Sequence, residues 1–121
     1  MELKIINKEF AICKLNSIQG VNLGDEFCFV GKTDEEISLV CEATSIPKNC
    51  IECDKGWKGF RIEGNLDFSL VGILAKISSI LAENGISIFA ISTFDTDYIL
   101  SKDEVFEKAI DVLKEQGYRF V

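Results

Sequence analysis

The chain has 121 residues, of which 47% are apolar and 27% charged, a composition typical of a folded globular protein rather than a disordered one. Its formal net charge is −7 and its 13 basic residues are scattered, which argues against nucleic-acid binding because phosphates attract clustered lysine and arginine. Neither a membrane-spanning stretch nor a secretory signal is visible, so we expect a cytoplasmic protein.

The first half of the chain, residues 1–56, is rich in strand patterns and poor in helix patterns. Glycines separate the apolar runs, and the segment Thr33–Glu36 predicts either the cap of a short helix or a turn. The predicted strands are Leu3–Ile6, Phe10–Leu15, Phe27–Gly31 and Ile37–Cys41.

The second half, residues 57–121, alternates between strand and helix patterns in the order β-α-β-β-α-β, which is typical of a ferredoxin-like unit. Apolar residues at helical spacing indicate the helices, and β-branched residues indicate the strands between them. The predicted elements are a strand at Trp57–Glu63, a helix through Leu70, Leu74, Ile77 and Leu81, strands at Ile86–Thr93 and Thr96–Ser101, a helix that begins after Ser101, and a strand at Tyr118–Val121.

Local signals predict where the two helices begin and end. Asp67 or Ser69 is available as the N-cap of the first helix, because a short oxygen-bearing side chain accepts a hydrogen bond from the first turn. The pair Asn84-Gly85 predicts the end of that helix. Ser101 and Glu104 have the spacing of a capping box, which predicts the start of the second helix.

Two polar segments fall in connections of the second half: Asp67-Phe68-Ser69 before the first helix, and Thr93–Asp97 between two strands. A helix start offers unpaired backbone N–H groups and a positive dipole end, whereas an acidic turn offers negative charge. Together these two poles suit a small zwitterion such as an amino acid. Each of the two segments also has a purely structural explanation. Asp67 is a favourable helix cap, and the residues Asp95-Thr96-Asp97 are of types that favour a turn.

All five cysteines lie in the first half. Cys13, Cys28 and Cys41 occur inside apolar runs, where a reduced cysteine acts as a small hydrophobic residue. Cys50 and Cys53 have the C-x-x-C spacing that can bind zinc or support redox chemistry. Because zinc needs further ligands and the chain has no histidine, we expect a structural role for this pair and no bound metal.

Catalytic motifs are not recognisable in the sequence. Without histidine, neither a Ser-His nor a Cys-His arrangement is possible. The sequence contains neither a Walker-type loop nor a G-x-G-x-x-G motif. We therefore expect no catalytic residues and no cofactor.

A resemblance to a known family rests on two blocks, LDFSLVGIL and ISTFDTDYIL, followed by the second predicted helix. These blocks resemble the ACT domain, a small regulatory module of amino-acid metabolism, and in particular the tandem-ACT subfamily related to CASTOR-type arginine sensors. The phrases TDEEISLVCE and GWKGFRIEG are similar to the leading ACT-like half of that subfamily. The resemblance implies an α+β protein with a ferredoxin-like ACT domain at residues 57–121, preceded by a smaller, strand-rich ACT-like half at residues 1–56.

ACT domains commonly bind an amino acid at an interface, between the strand–helix loop of one module and the strands of another. The resemblance therefore implies a ligand-binding loop before the first helix and a second ligand-binding segment in the hairpin that follows it. The implied residues are Asp67, Phe68, Ser69, Leu70, Val71 and Gly72 in the loop, and Ser92, Thr93, Phe94, Asp95, Thr96 and Asp97 in the hairpin.

These observations lead us to expect a regulatory protein that binds a small-molecule effector, an amino acid, without catalytic activity of its own. Two alternatives stay open: a structural or protein-interaction module with a vestigial ligand site, and an enzyme that uses Cys50 and Cys53 or the acidic cluster. We also predict a homodimer, because Phe89 and Ile91 place apolar surface on the sheet face opposite the helices. No nucleic acid and no membrane is expected as a partner.

Overall fold

The computed structural model describes residues 1–63 and 71–121, and it divides into two compact units. Unit 1 comprises Met1–Asn7 and Lys58–Val121, and unit 2 comprises Lys8–Trp57. In chain order the elements are β1 (Glu2–Leu15), β2 (Cys28–Lys32), β3 (Ile37–Glu42), a 3₁₀ turn (Ala43–Ser45), β4 (Cys50–Ile62), α1 (Ile73–Glu83), β5 (Phe89–Ser92), β6 (Asp97–Lys102), α2 (Asp103–Glu115) and β7 (Arg119–Phe120).

Unit 1 combines a sheet with both α-helices, so the predicted α+β class is confirmed. Its strands follow the order β7-β1-β4-β6-β5. Strands β5 and β6 are antiparallel, whereas β7 is parallel to the beginning of β1. The N–H of Glu63 donates to the carbonyl of Glu2 at 2.9 Å, which ties the end of β4 to the start of the chain. The first residues of the protein are therefore part of the same unit as its last residues.

The core of unit 1 forms between the two helices and the sheet. Helix α1 buries Ile77 and Leu81, which lie four residues apart and so share one helix face. The ring of Phe60 packs edge-on against Phe120, with ring centroids 5.5 Å apart. The buried residues of this core are Leu3, Phe60, Ile62, Ile77, Leu81, Ile86, Ile99, Phe106, Ala109 and Leu113.

Both helices end in the same glycine-dependent motif. Gly85 and Gly117 have positive φ angles of 71° and 95°, a backbone conformation that glycine adopts without steric cost. After α1, the N–H of Ile86 donates to the carbonyl of Leu81 at 3.0 Å, and α2 ends with the equivalent bond from Tyr118. These bonds are those of the Schellman motif, and the predicted end of the first helix at Asn84-Gly85 is confirmed.

The helix starts differ from the predicted positions. The residue before α1 is Gly72, which caps the helix with a left-handed backbone and no side-chain hydrogen bond. The predicted caps, Asp67 and Ser69, lie outside the described residues. The residue before α2 is Lys102, because β6 continues through that position. Ser101 consequently lies in β6 with its hydroxyl buried, and within the described parts of the chain that hydroxyl has no hydrogen-bond partner. A capping box at Ser101 is therefore not formed.

Unit 2 is built from three paired strands and the first part of β4. The second half of β1 runs antiparallel to β3, from the pair Phe10↔Glu42 to the pair Leu15↔Ile37, and β3 pairs with β2. Its small core consists of Ala11, Cys13, Leu15, Leu39 and Cys41.

Some strand boundaries differ from the sequence-based prediction. The two predicted strands at the N-terminus are one continuous strand, β1, and β4 begins at Cys50, earlier than predicted. The strand predicted at Ile86–Thr93 is limited to Phe89–Ser92. Apolar residues continue beyond the paired region, since Ile86 belongs to the core without being part of a strand. Hydrophobicity alone therefore overestimates the length of this strand.

The hairpins β2–β3 and β5–β6 have the same turn. The N–H of Thr33 donates to the carbonyl of Glu36 at 2.9 Å, and the N–H of Thr93 donates to that of Thr96 at 2.8 Å. Each threonine hydroxyl also donates to the same carbonyl. Of the two alternatives for Thr33–Glu36, the cap of a short helix or a turn, the structure shows the turn. In each hairpin the second strand has six residues, of which the third to fifth are buried.

Candidate functional site

The start of helix α1 is held by the backbone of Gly72, with φ 81° and ψ 2°. No described atom lies within 4 Å of the position that a Cβ would take there, so the requirement for glycine is conformational rather than steric. The first helical bond runs from the N–H of Lys76 to the carbonyl of Gly72, at 2.9 Å. The N–H groups of the first helical turn, which come before that of Lys76, have no partner inside the helix and form the positive end of its dipole.

A cavity of about 350 Å³ lies beside this helix start. Its volume is within the range of small-molecule sites. The walls come from the first turn of α1, the connection after α2 and the N-terminus of the chain. The lining residues are Met1, Val71, Gly72, Ile73, Lys76, Gln116, Gly117 and Tyr118.

The cavity suits an anionic group. The Lys76 side chain and the positive end of α1 both belong to its lining, and a helix N-terminus is a natural anion site. Burial raises the pKa of Tyr118 above its usual value, so its phenol stays neutral at physiological pH and can donate or accept a hydrogen bond. The arrangement can therefore hold a carboxylate and a second polar group.

Sequence reasoning found Val71 and Gly72 but missed the rest of this cavity. Lys76 follows Gly72 by four residues, the spacing of one helical turn, and that signal was available from the sequence. Gln116 and Tyr118 are brought to the cavity only by the packing of α2 and β7 in unit 1, which no local pattern indicates.

The hairpin segment Ser92–Asp97 is organised by its own hydrogen bonds. The Ser92 hydroxyl donates to a carboxylate oxygen of Asp97 at 2.6 Å, across the strand pair that both residues form. The Thr96 hydroxyl donates to the carbonyl of Ile62 at 2.7 Å. The tip of the hairpin is thereby fixed beside the end of β4. Asp95 is exposed, whereas Asp97 is half-buried.

The structure describes part of the predicted ligand site. Asp67, Phe68, Ser69 and Leu70 lie outside the described residues. Of the other predicted residues, Val71 and Gly72 line the cavity, whereas the described lining includes none of the residues 92–97. Thr96 contacts Ile62, which is the last residue of β4 and lies two positions before residue 64. A single site formed by the loop and the hairpin stays a prediction.

Comparison with known proteins identifies the family. The family model described as the ACT domain matches residues 52–115, which is more than half of the chain. The chain belongs to the ACT domain family. The predicted resemblance is confirmed at this level, and the ACT domain is a regulatory domain. No curated protein matches the sequence.

Solved structures of other proteins show the same fold. Protein Atu0741 from Agrobacterium tumefaciens is 35% identical, with a TM-score of 0.89, and the match covers 99% of this chain and 91% of that one. VC0802 from Vibrio cholerae, described as a possible transport protein of unknown function, is 22% identical with a TM-score of 0.74, covering 94% and 88%. Aspartate kinase from Clostridium acetobutylicum is 14% identical with a TM-score of 0.67, and the match covers 90% of this chain but 33% of the kinase.

The helices of this ACT domain protein are short. Within residues 1–63 and 71–121, no helix has the length and the apolar character that crossing a membrane requires.

Proposed function

We propose that this ACT domain protein is a regulatory module that binds an amino acid and performs no catalysis of its own. The observation that carries the proposal is the cavity at the start of α1, where Lys76 and the free end of the helix provide positive charge. An amino acid offers the carboxylate that this end requires. The ACT domain match supplies the regulatory context.

The proposed recognition uses two poles. The carboxylate of the effector binds the backbone N–H groups that follow Gly72 and the ammonium group of Lys76. The ammonium group of the effector faces Asp95 or Asp97 in the hairpin, and residues Asp67–Val71 belong to the ligand-binding loop that the family resemblance implies. Charge-assisted hydrogen bonds of this kind contribute roughly 1.5–3 kcal/mol each.

We further propose the tandem arrangement and the relationship to CASTOR-type sensors that the sequence blocks imply. The repeated turn supports it, because Thr33 and Thr93 make the same hydrogen bonds in two hairpins whose second strands each have six residues. On this basis residues 1–56 form an ACT-like half and residues 57–121 form the ACT domain. Unit 1 additionally includes the first strand residues.

The proposed assembly is a homodimer in which the effector site is completed by the partner. Val71 is 88% exposed and Phe94 is 81% exposed, and each lies in one of the two predicted ligand segments. A contiguous exposed apolar patch marks an interaction site, and in the proposed dimer these two side chains would belong to one. Light scattering tests this proposal: a species of 13.5 kDa at high protein concentration, equal to the mass of one chain, would rule out the dimer.

The effector is tested first by a thermal-shift screen of the full chain against the twenty amino acids. A ligand that binds only the folded state raises the melting temperature. Isothermal titration calorimetry of the best ligand then compares the wild type with Lys76→Met, which keeps the aliphatic stem and removes the charge. We expect Lys76→Met to weaken binding by about tenfold or more, since it removes one charge-assisted hydrogen bond.

The matched control is Lys32→Met, which makes the same change at an exposed lysine of unit 2, outside the lining of the cavity. Its affinity is expected to equal that of the wild type. The proposal fails if no amino acid shifts the melting temperature at millimolar concentration. It also fails if Lys76→Met and Lys32→Met bind the effector equally well.

A further inference from the structure

Three cysteines of unit 2 are brought together by the fold. Cys13 lies in β1, and Cys50 and Cys53 lie in the first part of β4. Their three sulfur atoms all lie within 4.8 Å of one another, and the Sγ atoms of Cys13 and Cys53 are 3.7 Å apart. The C-x-x-C pair thus has a third thiol beside it, which the sequence spacing alone does not reveal.

The spacing of these sulfur atoms fits a shared metal ion. A zinc–sulfur bond of about 2.3 Å places the sulfur atoms of a tetrahedral site roughly 3.8 Å apart, and those of a trigonal site roughly 4.0 Å apart. The observed separations, from 3.7 Å to at most 4.8 Å, require an adjustment of no more than about 1 Å to match these values. Two of the ligands, Cys50 and Cys53, lie three residues apart on one strand.

Packing alone does not explain all three residues. Cys13 is 2% exposed and belongs to the core, as a small hydrophobic residue would. Cys53 is exposed, so it gains nothing from burial. The cluster therefore has one buried thiol, one half-buried thiol and one thiol at the surface, an arrangement that leaves an entry path for an ion and a coordination position on the solvent side.

The chemistry of the ligands selects the ion. Thiolates are soft ligands that favour Zn²⁺ and Cu⁺ over the hard cations Mg²⁺ and Ca²⁺. The chain contains no histidine, and among the described residues the group of candidate ligands consists of these three cysteines, so the set is one of sulfur only. Unit 2 also has a small core, and small folded units commonly depend on a metal or a cross-link for stability.

We propose that Cys13, Cys50 and Cys53 form a binding site for one soft, thiophilic metal ion, Zn²⁺ or Cu⁺, through their three thiolates. The site lies in unit 2, whereas the cavity described above lies in unit 1, and it does not depend on the proposed amino-acid effector. It replaces the expectation from the sequence that the C-x-x-C pair has only a structural role and holds no metal.

The test uses the full chain, reduced with a phosphine, stripped of metal and kept free of oxygen. One sample receives Zn²⁺, a second receives Cu⁺, and a third receives Co²⁺, whose thiolate-to-metal charge-transfer absorption reports sulfur ligands directly. Metal content after desalting gives the stoichiometry, and competition with a chromophoric chelator gives the affinity. We expect one ion per chain for Zn²⁺ or for Cu⁺, and the sample with the tighter binding identifies the ion.

Substitutions assign the ligands. Loss of an outer partner of a metal ligand typically costs 10–100-fold in affinity, so Cys53→Ser and Cys50→Ser, which remove direct ligands, are each expected to cost at least about 100-fold. The matched control is Cys28→Ser, since Cys28 is a strand cysteine of the same unit that does not belong to the cluster. Cys13 is left unchanged because it is part of the core.

Because Cys53 is exposed, Cys53→Ser is expected to fold, and its circular dichroism spectrum checks this. The proposal is overturned if the reduced wild type retains neither Zn²⁺ nor Cu⁺ after desalting. It is also overturned if Cys53→Ser and Cys50→Ser both bind as tightly as the wild type, or if Cys28→Ser loses as much affinity as they do.

Discussion

Gly59 in β4 provides a sharp test of how unit 1 is packed. A Cβ at this position would lie 2.2 Å from Cδ2 of Leu100 and 3.1 Å from the carbonyl oxygen of Ile99. Ordinary carbon–carbon contacts are about 3.5–4.0 Å, so in Gly59→Ala the Leu100 side chain must retreat by roughly 1.3 Å or more. Leu100 is 1% exposed, and a close-packed interior gives little room for that movement.

Overpacking of this kind costs about 1–3 kcal/mol of the free energy of unfolding. Leu100→Ala alone leaves a cavity and is expected to cost about 2–5 kcal/mol. In the double variant, the alanine methyl at position 59 occupies part of the space that the leucine leaves. We therefore expect the double variant to lose at least about 1 kcal/mol less than the sum of the single variants, a coupling within the range for residues in contact.

Equilibrium urea unfolding followed by far-UV circular dichroism measures all four proteins of this cycle. Gly31→Ala is the matched control, because Gly31 also lies in a strand and a Cβ there meets nothing within 4 Å among the described atoms. Its effect should be close to zero or slightly stabilising, since glycine in a strand costs about 0.5–1 kcal/mol. Additive single effects, or equal effects of Gly59→Ala and Gly31→Ala, would refute the reasoning.

Two further predictions concern the candidate site. Asp97→Asn should weaken effector binding by about tenfold, because it removes the negative charge, but it should keep the stability, since the amide oxygen still accepts a hydrogen bond from the Ser92 hydroxyl. Calorimetry measures both the affinity and the stability, and Ser92→Ala is the control that keeps the charge of Asp97. An unchanged affinity in Asp97→Asn would remove this residue from the site. Tyr118 has a raised pKa in the folded state because of burial. The unfolded chain therefore loses this proton first, and stability that is intact below about pH 10 declines as the pH rises further. Tyr118→Phe should abolish this part of the alkaline decline in urea unfolding at several pH values; identical pH profiles for wild type and variant would contradict it.

The features that could be predicted from the sequence are those that local signals encode. The α+β class follows from the alternation of periods 2 and 3.6, and the end of α1 follows from Asn84-Gly85, because glycine permits the left-handed residue that the Schellman motif needs. The start of α1 could not be predicted from side chains, because Gly72 caps the helix through its backbone alone. Ser101 has the right spacing from Glu104 for a capping box, but β6 continues through Lys102, so Ser101 is a strand residue and does not cap α2.

The features that were missed depend on contacts between distant parts of the chain. Glu2 in β1 pairs with Arg119 in β7, so both ends of the chain belong to one unit. Nothing in the sequence of either segment predicts that it pairs with the other. Cys13 joins Cys50 and Cys53 for the same reason. The sequence shows the C-x-x-C pair as two ligands, and only the folded sheet supplies a third.

The 3₁₀ turn after β3 has a consequence for how unit 2 can be altered. At the end of β3, Glu42 has φ −64° and ψ 143°, nearly the same as Lys102, with φ −63° and ψ 146°, at the end of β6. After β6 this exit leads into a 13-residue helix, whereas after β3 it ends with Ala43–Ser45. Pro47 disfavours a helical backbone at Ile46, which is extended at φ −67° and ψ 122°. The two hairpins therefore end with the same backbone conformation, which at Lys102 precedes a long helix. We expect the junction after Glu42 to accept a longer helical segment without redesign of the strands.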